Sequence, residues 1–119
     1  MRICFDLDET LCTGKPYCKA QPIEENINFL KRLKKEGHTI IIYTARGMGR
    51  TNSNAGAALK EIGSLTFSQL DRWGIPYDEI FFGKPSADIY IDDKAFNALY
   101  MDLNSLGEKI CQISQAMTS

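Results

Sequence analysis

The stretch ICFDLDETLC at residues 3–12 decides how the chain begins to fold. Its apolar first part leads directly into Asp6, Leu7, Asp8 and Glu9, so three carboxylates follow one strand-like segment within four residues. Carboxylates this close repel one another, and loss of water makes that repulsion more costly. The stretch therefore predicts a strand over residues 2–7 whose acidic end requires a positively charged partner.

The next segments alternate between helical and strand-like periodicity. Residues 23–36 carry apolar side chains at helical spacing, and the β-branched run at residues 39–43 is typical of a parallel strand buried on both faces. Residues 46–64 are rich in Gly, Asn and Ser. They predict a long loop of the kind that forms lids or binding loops, with a short helix near residues 57–62.

The second half of the chain continues the alternation. We expect helical structure at residues 67–73, strands at residues 78–82 and 87–91, and a final helix from residue 95 or 99 onward. Strands that alternate with helices in this order favour an α/β fold with a mostly parallel sheet.

Length and composition favour one domain spanning residues 1–119, enough for a single core. The hydrophobic fraction of 44% argues against disorder, and the net charge of -1 gives no general reason to expect nucleic acid or an anionic membrane as a partner. We find no bilayer-spanning apolar run and no signal-peptide pattern, so we expect a cytoplasmic protein. The four cysteines form no CxxC pair and there is one histidine, so neither a zinc site nor a disulfide framework is expected.

Polar side chains stand out where the predicted strands end. Ligands of open α/β sheets bind beyond the carboxyl ends of the strands, so we expect these side chains to meet at one edge of the sheet. Clustered carboxylates there require a cation, and Mg²⁺ fits because it prefers oxygen ligands and also takes substrate phosphate. The residues concerned are Asp6 and Asp8 after the first strand, Thr44 and Arg46 after the second, Lys84 after the third, and Asp92 and Asp93 after the fourth.

The basic and hydroxyl groups among them suit phosphate chemistry. Lys84 adds positive charge for a phosphate or for a carboxylate nucleophile, and Thr44 with nearby backbone N–H groups can donate to phosphate oxygens. Arg46 either binds substrate or pairs with a surface carboxylate, and the sequence leaves both readings open. The pattern thus predicts a combined metal and phosphate site.

Four motifs in this order resemble those of the haloacid dehalogenase (HAD) superfamily of phosphohydrolases: DLDET, YTARG, GKP and IDD. The resemblance implies a three-layer α/β/α Rossmann-like core with a mostly parallel sheet. The chain has no room for the cap domain that many members insert, so it resembles capless members, in which a neighbouring subunit of a homo-oligomer often covers the site. The stretches FDLDETLC, YTARGM and GKPSADIYIDDKA resemble bacterial capsule-biosynthesis phosphatases, which implies a sugar phosphate or a polysaccharide precursor as substrate.

The resemblance also implies a role for each matched residue. Asp6 would attack phosphorus and form an aspartyl-phosphate, while Asp8 would protonate the leaving oxygen and then activate water. Thr44 would bind the phosphoryl group, and Lys84 would orient Asp6, although many members place a helix between this lysine and the last acidic pair. The Mg²⁺ ligands implied are Asp6, the backbone carbonyl of Asp8, Asp92 and, directly or through water, Asp93.

Two other functions stay open. Polynucleotide 3′-phosphatases share the signature but call for a basic groove with aromatic side chains, for which Arg46, Arg50 and Lys60 offer only a modest track. A signalling receiver domain that accepts a phosphoryl group has a similar size and acidic pairs. Its acceptor Asp follows the third strand, however, whereas the third predicted strand here ends in Gly83.

Overall fold

The computed structural model describes residues 1–99 and 102–118, and its strands alternate with helices along the chain. A single 3₁₀ turn at Tyr17–Lys19 lies between the second and third strands. The elements of the described residues are β1 (Arg2–Asp6), β2 (Cys12–Thr13), β3 (Gln21–Pro22), α1 (Glu24–Lys35), β4 (Thr39–Thr44), α2 (Ala55–Arg72), β5 (Glu79–Phe82) and α3 (Leu103–Thr118).

The main sheet is parallel, in the order β1-β4-β5. Asp6 pairs with Tyr43 and Thr44 pairs with Phe82, so the carboxyl ends of the three strands lie at one edge. The short strands β2 and β3 form a separate antiparallel pair beside it. The predicted α/β fold with a parallel sheet is confirmed.

The core lies where α1 packs against the sheet. Ile27, Leu30 and Leu33 recur on one face of α1 and are buried, as are Ile40 and Ile42 of β4. Burial on the strand's two faces explains the apolar run that identified it in the sequence. Among the described helices, none combines the length and the apolar character that crossing a bilayer would take.

The loop predicted at residues 46–64 is shorter than expected, because one continuous helix, α2, replaces both the short helix and the later one. Asn54 caps this helix by accepting a hydrogen bond from the backbone N–H of Ala57 at 2.9 Å. Its Ala58 and Leu70 are buried, so packing supplies the stability that Gly56 and Gly63 remove. The predicted helical structure at residues 67–73 is confirmed up to Arg72.

The strand predicted at residues 87–91 was wrong, since this segment has no regular secondary structure. Ile91 is 97% exposed, and the hydroxyl of Tyr90 donates to the carbonyl of Pro85, which folds the segment back on itself. In the sheet that the described residues form, β1 lies at one edge. The last helix begins at Leu103, later than predicted.

Candidate active site

A pocket of about 190 Å³ lies at the carboxyl ends of the parallel strands. Four of the residues that the sequence singled out line it, namely Asp6, Asp8, Arg46 and Lys84. The expected convergence at one edge of the sheet therefore holds for these four side chains.

A tight turn after β1 aims the two aspartates at the pocket. The carbonyl of Leu7 accepts the backbone N–H of Leu11 at 2.8 Å, and both leucines are fully buried. Glu9 adopts a left-handed conformation with φ 63° to complete the turn. The Asn26 side chain of α1 donates to the carbonyl of Thr10 at 2.7 Å and holds the turn from outside the pocket. The apolar residues thus anchor the turn while the carboxylates remain at its surface.

The carboxylate of Asp6 is held on both of its oxygens. Oδ1 lies 3.3 Å from Nζ of Lys84, and Oδ2 accepts from the Thr10 hydroxyl at 3.3 Å. Lys84 reaches this position because its backbone N–H donates to the carbonyl of Thr44 at 3.1 Å. Its ammonium also lies 4.3 Å from the ring centroid of Tyr90. Asp6 is therefore fixed beside a positive charge.

Asp8 forms a paired contact with Arg46. Oδ2 of Asp8 accepts from Nε of Arg46 at 3.0 Å, and Oδ1 accepts from Nη2 at 2.9 Å. Arg46 is only 1% exposed, and its Nη1 donates to side-chain oxygens of Thr66 and Gln69. Of the two roles left open for Arg46, the structure places it in a carboxylate pair, but the carboxylate belongs to the pocket and not to the outer surface. Its role as a substrate ligand stays a prediction.

Thr44 ends β4 and is fully buried. Its hydroxyl oxygen accepts the backbone N–H of Arg46 at 3.1 Å, and it retains one O–H to donate. Ala45, the next residue, lines the pocket. Thr44 thus shapes the turn at the pocket wall, and the phosphate contact assigned to it stays a prediction.

The structure does not bring Asp92 and Asp93 to this pocket. Both are exposed, and Oδ1 of Asp92 accepts the backbone N–H of Lys94 at 2.9 Å. That hydrogen bond, followed by one with Asp93, holds the pKa of Asp92 below its ordinary value. Within residues 1–99 and 102–118, no three Asp, Glu, His or Cys side chains lie close enough together to hold a metal ion.

Two pocket tyrosines were missed in the sequence. The ring of Tyr17 covers Arg46, with its centroid 4.7 Å from Cζ, and Tyr90 stands over Lys84. Lys15 also lines the pocket, 5.9 Å from the Tyr17 ring. Tyr17 stands two positions from Lys15, which was an available signal, whereas Tyr90 stands six positions from Lys84 and carries no such signal.

Cys12 lies beneath the acidic turn and is fully buried, with its Sγ 3.5 Å from Oδ1 of Asp8. Burial and then the charge of Asp8 raise the pKa of this thiol to about 12. The thiol is therefore protonated at neutral pH, which makes it a poor nucleophile beside Asp6.

Comparison with known proteins connects this geometry to a family. A crystal structure of a target protein from Vibrio cholerae is similar, with a TM-score of 0.80 and 30% identity over 90% of this chain and 94% of that one. No curated protein matches the chain. The family model for haloacid dehalogenase-like hydrolases matches residues 3–64, which include the acidic turn and the end of β4. Because this match covers just over half of the sequence, the chain belongs to the haloacid dehalogenase-like hydrolases.

Proposed function

We propose that the protein is a phosphomonoester hydrolase in which Asp6 is the nucleophile. The observation that carries this proposal is the setting of the Asp6 carboxylate, which faces the pocket and is held 3.3 Å from the Lys84 ammonium. A fixed carboxylate can attack phosphorus and form an aspartyl-phosphate. Lys84 then offsets the negative charge that nucleophile and phosphate bring together.

Asp8 is the proposed acid and base. As an oxygen of Asp6 bonds to phosphorus, the bond from phosphorus to the leaving oxygen breaks, and that oxygen takes a proton from Asp8. The Asp8 carboxylate next takes a proton from water, whose oxygen attacks the same phosphorus. Phosphate leaves and Asp6 is regenerated. The support for this role is that Asp8 lines the same pocket as Asp6 and is partly exposed there.

The metal assignment fits the described residues in part. Hydrolases of this family generally use Mg²⁺, and we propose that it is held by Asp6, the backbone carbonyl of Asp8, Asp92 and Asp93. Asp6 and Asp8 are in place and supply the oxygen ligands that Mg²⁺ prefers. Residues 87–93 would have to approach the free edge of β1 to add the other two. When bound, the ion would offset charge at the phosphate.

The proposed substrate is a sugar phosphate or a polysaccharide precursor. The pocket volume of about 190 Å³ is below the ~300–1,000 Å³ of sites for drug-sized ligands, which suits a small phosphomonoester. Two tyrosine rings line it and can pack against the C–H face of a sugar. Lys15, which has no ion pair among the described residues, adds a positive charge to the lining.

The polynucleotide alternative finds less support. Of the three basic residues that offered a track, Arg46 is buried against Asp8 and Arg50 pairs with Glu61 at 3.0 Å. A phosphate backbone needs unpaired cations along a groove. We therefore place the polynucleotide phosphatase second.

The decisive experiment compares wild type with Asp6→Asn. Phosphate release is measured with Mg²⁺ on sugar phosphates, nucleotides and 3′-phosphorylated oligonucleotides. We expect the variant to lose activity by a factor of about 10³ or more, because the nucleophile is gone, while its circular dichroism stays that of wild type.

Asp71→Asn is the matched control, since Asp71 is an exposed aspartate on α2, and it should keep wild-type turnover. Activity that survives in Asp6→Asn would remove Asp6 as nucleophile. A clear preference for oligonucleotides would select the second function.

A further inference from the structure

A cluster of buried polar side chains lies behind the pocket, on the inner face of α2. Thr66 and Gln69 are fully buried there, although burying polar groups costs free energy unless they are hydrogen-bonded. Both are bonded. Thr66 donates to the carbonyl of Ile62 at 2.9 Å, and Gln69 donates from Nε2 to the carbonyl of Tyr17 at 2.6 Å. Neither residue lines the pocket.

The remaining hydrogen-bond acceptors of Thr66 and Gln69 both bind one nitrogen of Arg46. Nη1 donates to Oε1 of Gln69 at 2.6 Å and to the Thr66 hydroxyl at 3.2 Å. The other side of the same guanidinium contacts Asp8 through Nε and Nη2. Because the guanidinium is planar and rigid, fixing one of its edges fixes the direction of the other. Side chains of α2 thus determine, through Arg46, the position of the Asp8 carboxylate.

Gln69 also acts on the loop that covers this pair. Its bond to the Tyr17 carbonyl holds the 3₁₀ turn against α2, and the Tyr17 ring lies 4.7 Å from Cζ of Arg46. One amide therefore ties together the cation, the aromatic ring over it and, through the cation, the carboxylate.

We propose that Gln69 is a positioning residue for the reaction. It orients Arg46 so that Arg46 holds Asp8 where the leaving oxygen receives its proton. This inference rests on the proposed function, because the acid role of Asp8 belongs to that function.

A purely structural role for Gln69 gives a different kinetic signature. When the substrate is an aryl phosphate, an acidic phenol leaves with little help from a proton donor. The alcohol of an alkyl phosphate depends on such a donor. Misplacing Asp8 should slow the transfer of the phosphoryl group from the alkyl substrate selectively, whereas the later hydrolysis, in which Asp8 is the base, is common to both substrates. A general loss of structure would slow both substrates by the same factor.

The test is Gln69→Met, which keeps the length of the side chain and removes its polar atoms. We expect kcat/KM, which covers the reaction only up to transfer of the phosphoryl group to Asp6, to fall about tenfold or more for an alkyl phosphate and less than about twofold for a dinitrophenyl phosphate. Thr66→Val should give the same selectivity with a smaller loss of activity. It replaces Gln69→Met if that variant fails to fold.

The control is Leu70→Val, which alters the buried neighbour of Gln69 on the same helix and removes no hydrogen bond of Arg46. It should lower stability and leave the ratio of the two rates as in wild type. An equal loss on both substrates in Gln69→Met, or no loss, would overturn the positioning role while Asp6→Asn still supports the phosphatase. If wild type hydrolyses neither substrate, the proposed function fails and the positioning role fails with it.

Discussion

Arg46 carries the most partners of any side chain around the pocket. It joins Asp8, which follows β1, to Thr66 and Gln69 on α2. The sequence could predict that Asp6, Asp8 and Lys84 meet, because strand ends define where they lie. It could not assign the partner of Arg46, because that depends on how α2 crosses behind the strand, and spacing along the chain does not contain this information.

Replacing Arg46 by lysine should therefore be costly. Arg46→Lys loses the planar fork and leaves the acceptors on Thr66 and Gln69 with fewer donors, and a buried polar group without its partner costs about 1–3 kcal/mol. We expect the free energy of unfolding in urea to fall by that amount.

Arg50→Lys is the control for this variant, since the pair of Arg50 with Glu61 is exposed. A surface pair of this kind contributes at most about 1 kcal/mol, so the control should stay close to wild type. Equal effects of the two replacements would contradict the buried network.

At the scale of elements, strand and helix signals were reliable where a segment packs against the core. α1 and β4 follow their periodicity closely because each buries apolar side chains, and Ile3 and Phe5 of β1 pack against the same core. The strand-like residues at 87–91 misled the prediction, since a strand also needs a neighbour to pair with, and the sequence of the segment does not supply one. α2 was underestimated for the opposite reason, because its glycines and polar residues conceal a helix held by an N-cap and by packing.

Asp78 links three of these elements and should make stability depend on pH. Asp78 directly precedes β5. Its carboxylate accepts from Lys34 of α1 at 2.5 Å and from the backbone N–H of Ile40 in β4 at 2.8 Å. These hydrogen bonds hold the pKa of Asp78 below its ordinary value of 3.8, and the bond from Lys34 has the largest effect. Because the folded state favours the charged form, this stabilisation is complete above the unfolded pKa and is lost as the pH falls through the folded one.

Asp78→Asn should consequently flatten the acid limb of the stability curve. We expect wild type to lose stability more steeply than the variant as the pH is lowered from about 5 towards 3, measured by urea unfolding at each pH. Asp88→Asn, at an exposed aspartate, should follow wild type. Parallel curves for wild type and Asp78→Asn would refute the link.

At the scale of the whole molecule, β1, an edge strand of the sheet that the described residues form, also carries the proposed nucleophile. The carboxylates that would complete a metal site follow the exposed segment at residues 87–91. Binding of Mg²⁺ would thus draw residues 92 and 93 towards β1, so the conformation of that segment and metal affinity would be linked.

Removing the metal should stop turnover, and returning Mg²⁺ should restore it. In calorimetry, Asp92→Asn should weaken Mg²⁺ binding about tenfold or more, while Asp88→Asn should leave it unchanged. Full activity in excess chelator would reject the metal assignment. Unaltered affinity in Asp92→Asn would reject Asp92 as a ligand.

The ion pairs described in the pocket have a consequence for how substrate arrives. Three carboxylates and three cations line it, namely Asp6, Asp8, Glu9, Lys15, Arg46 and Lys84. Their charges cancel, so the chain alone projects little field into the solvent and cannot steer an anion over long distances. In the metal-free protein, a phosphorylated molecule then reaches the pocket by ordinary diffusion, at a rate almost indifferent to ionic strength, and discrimination begins only on contact.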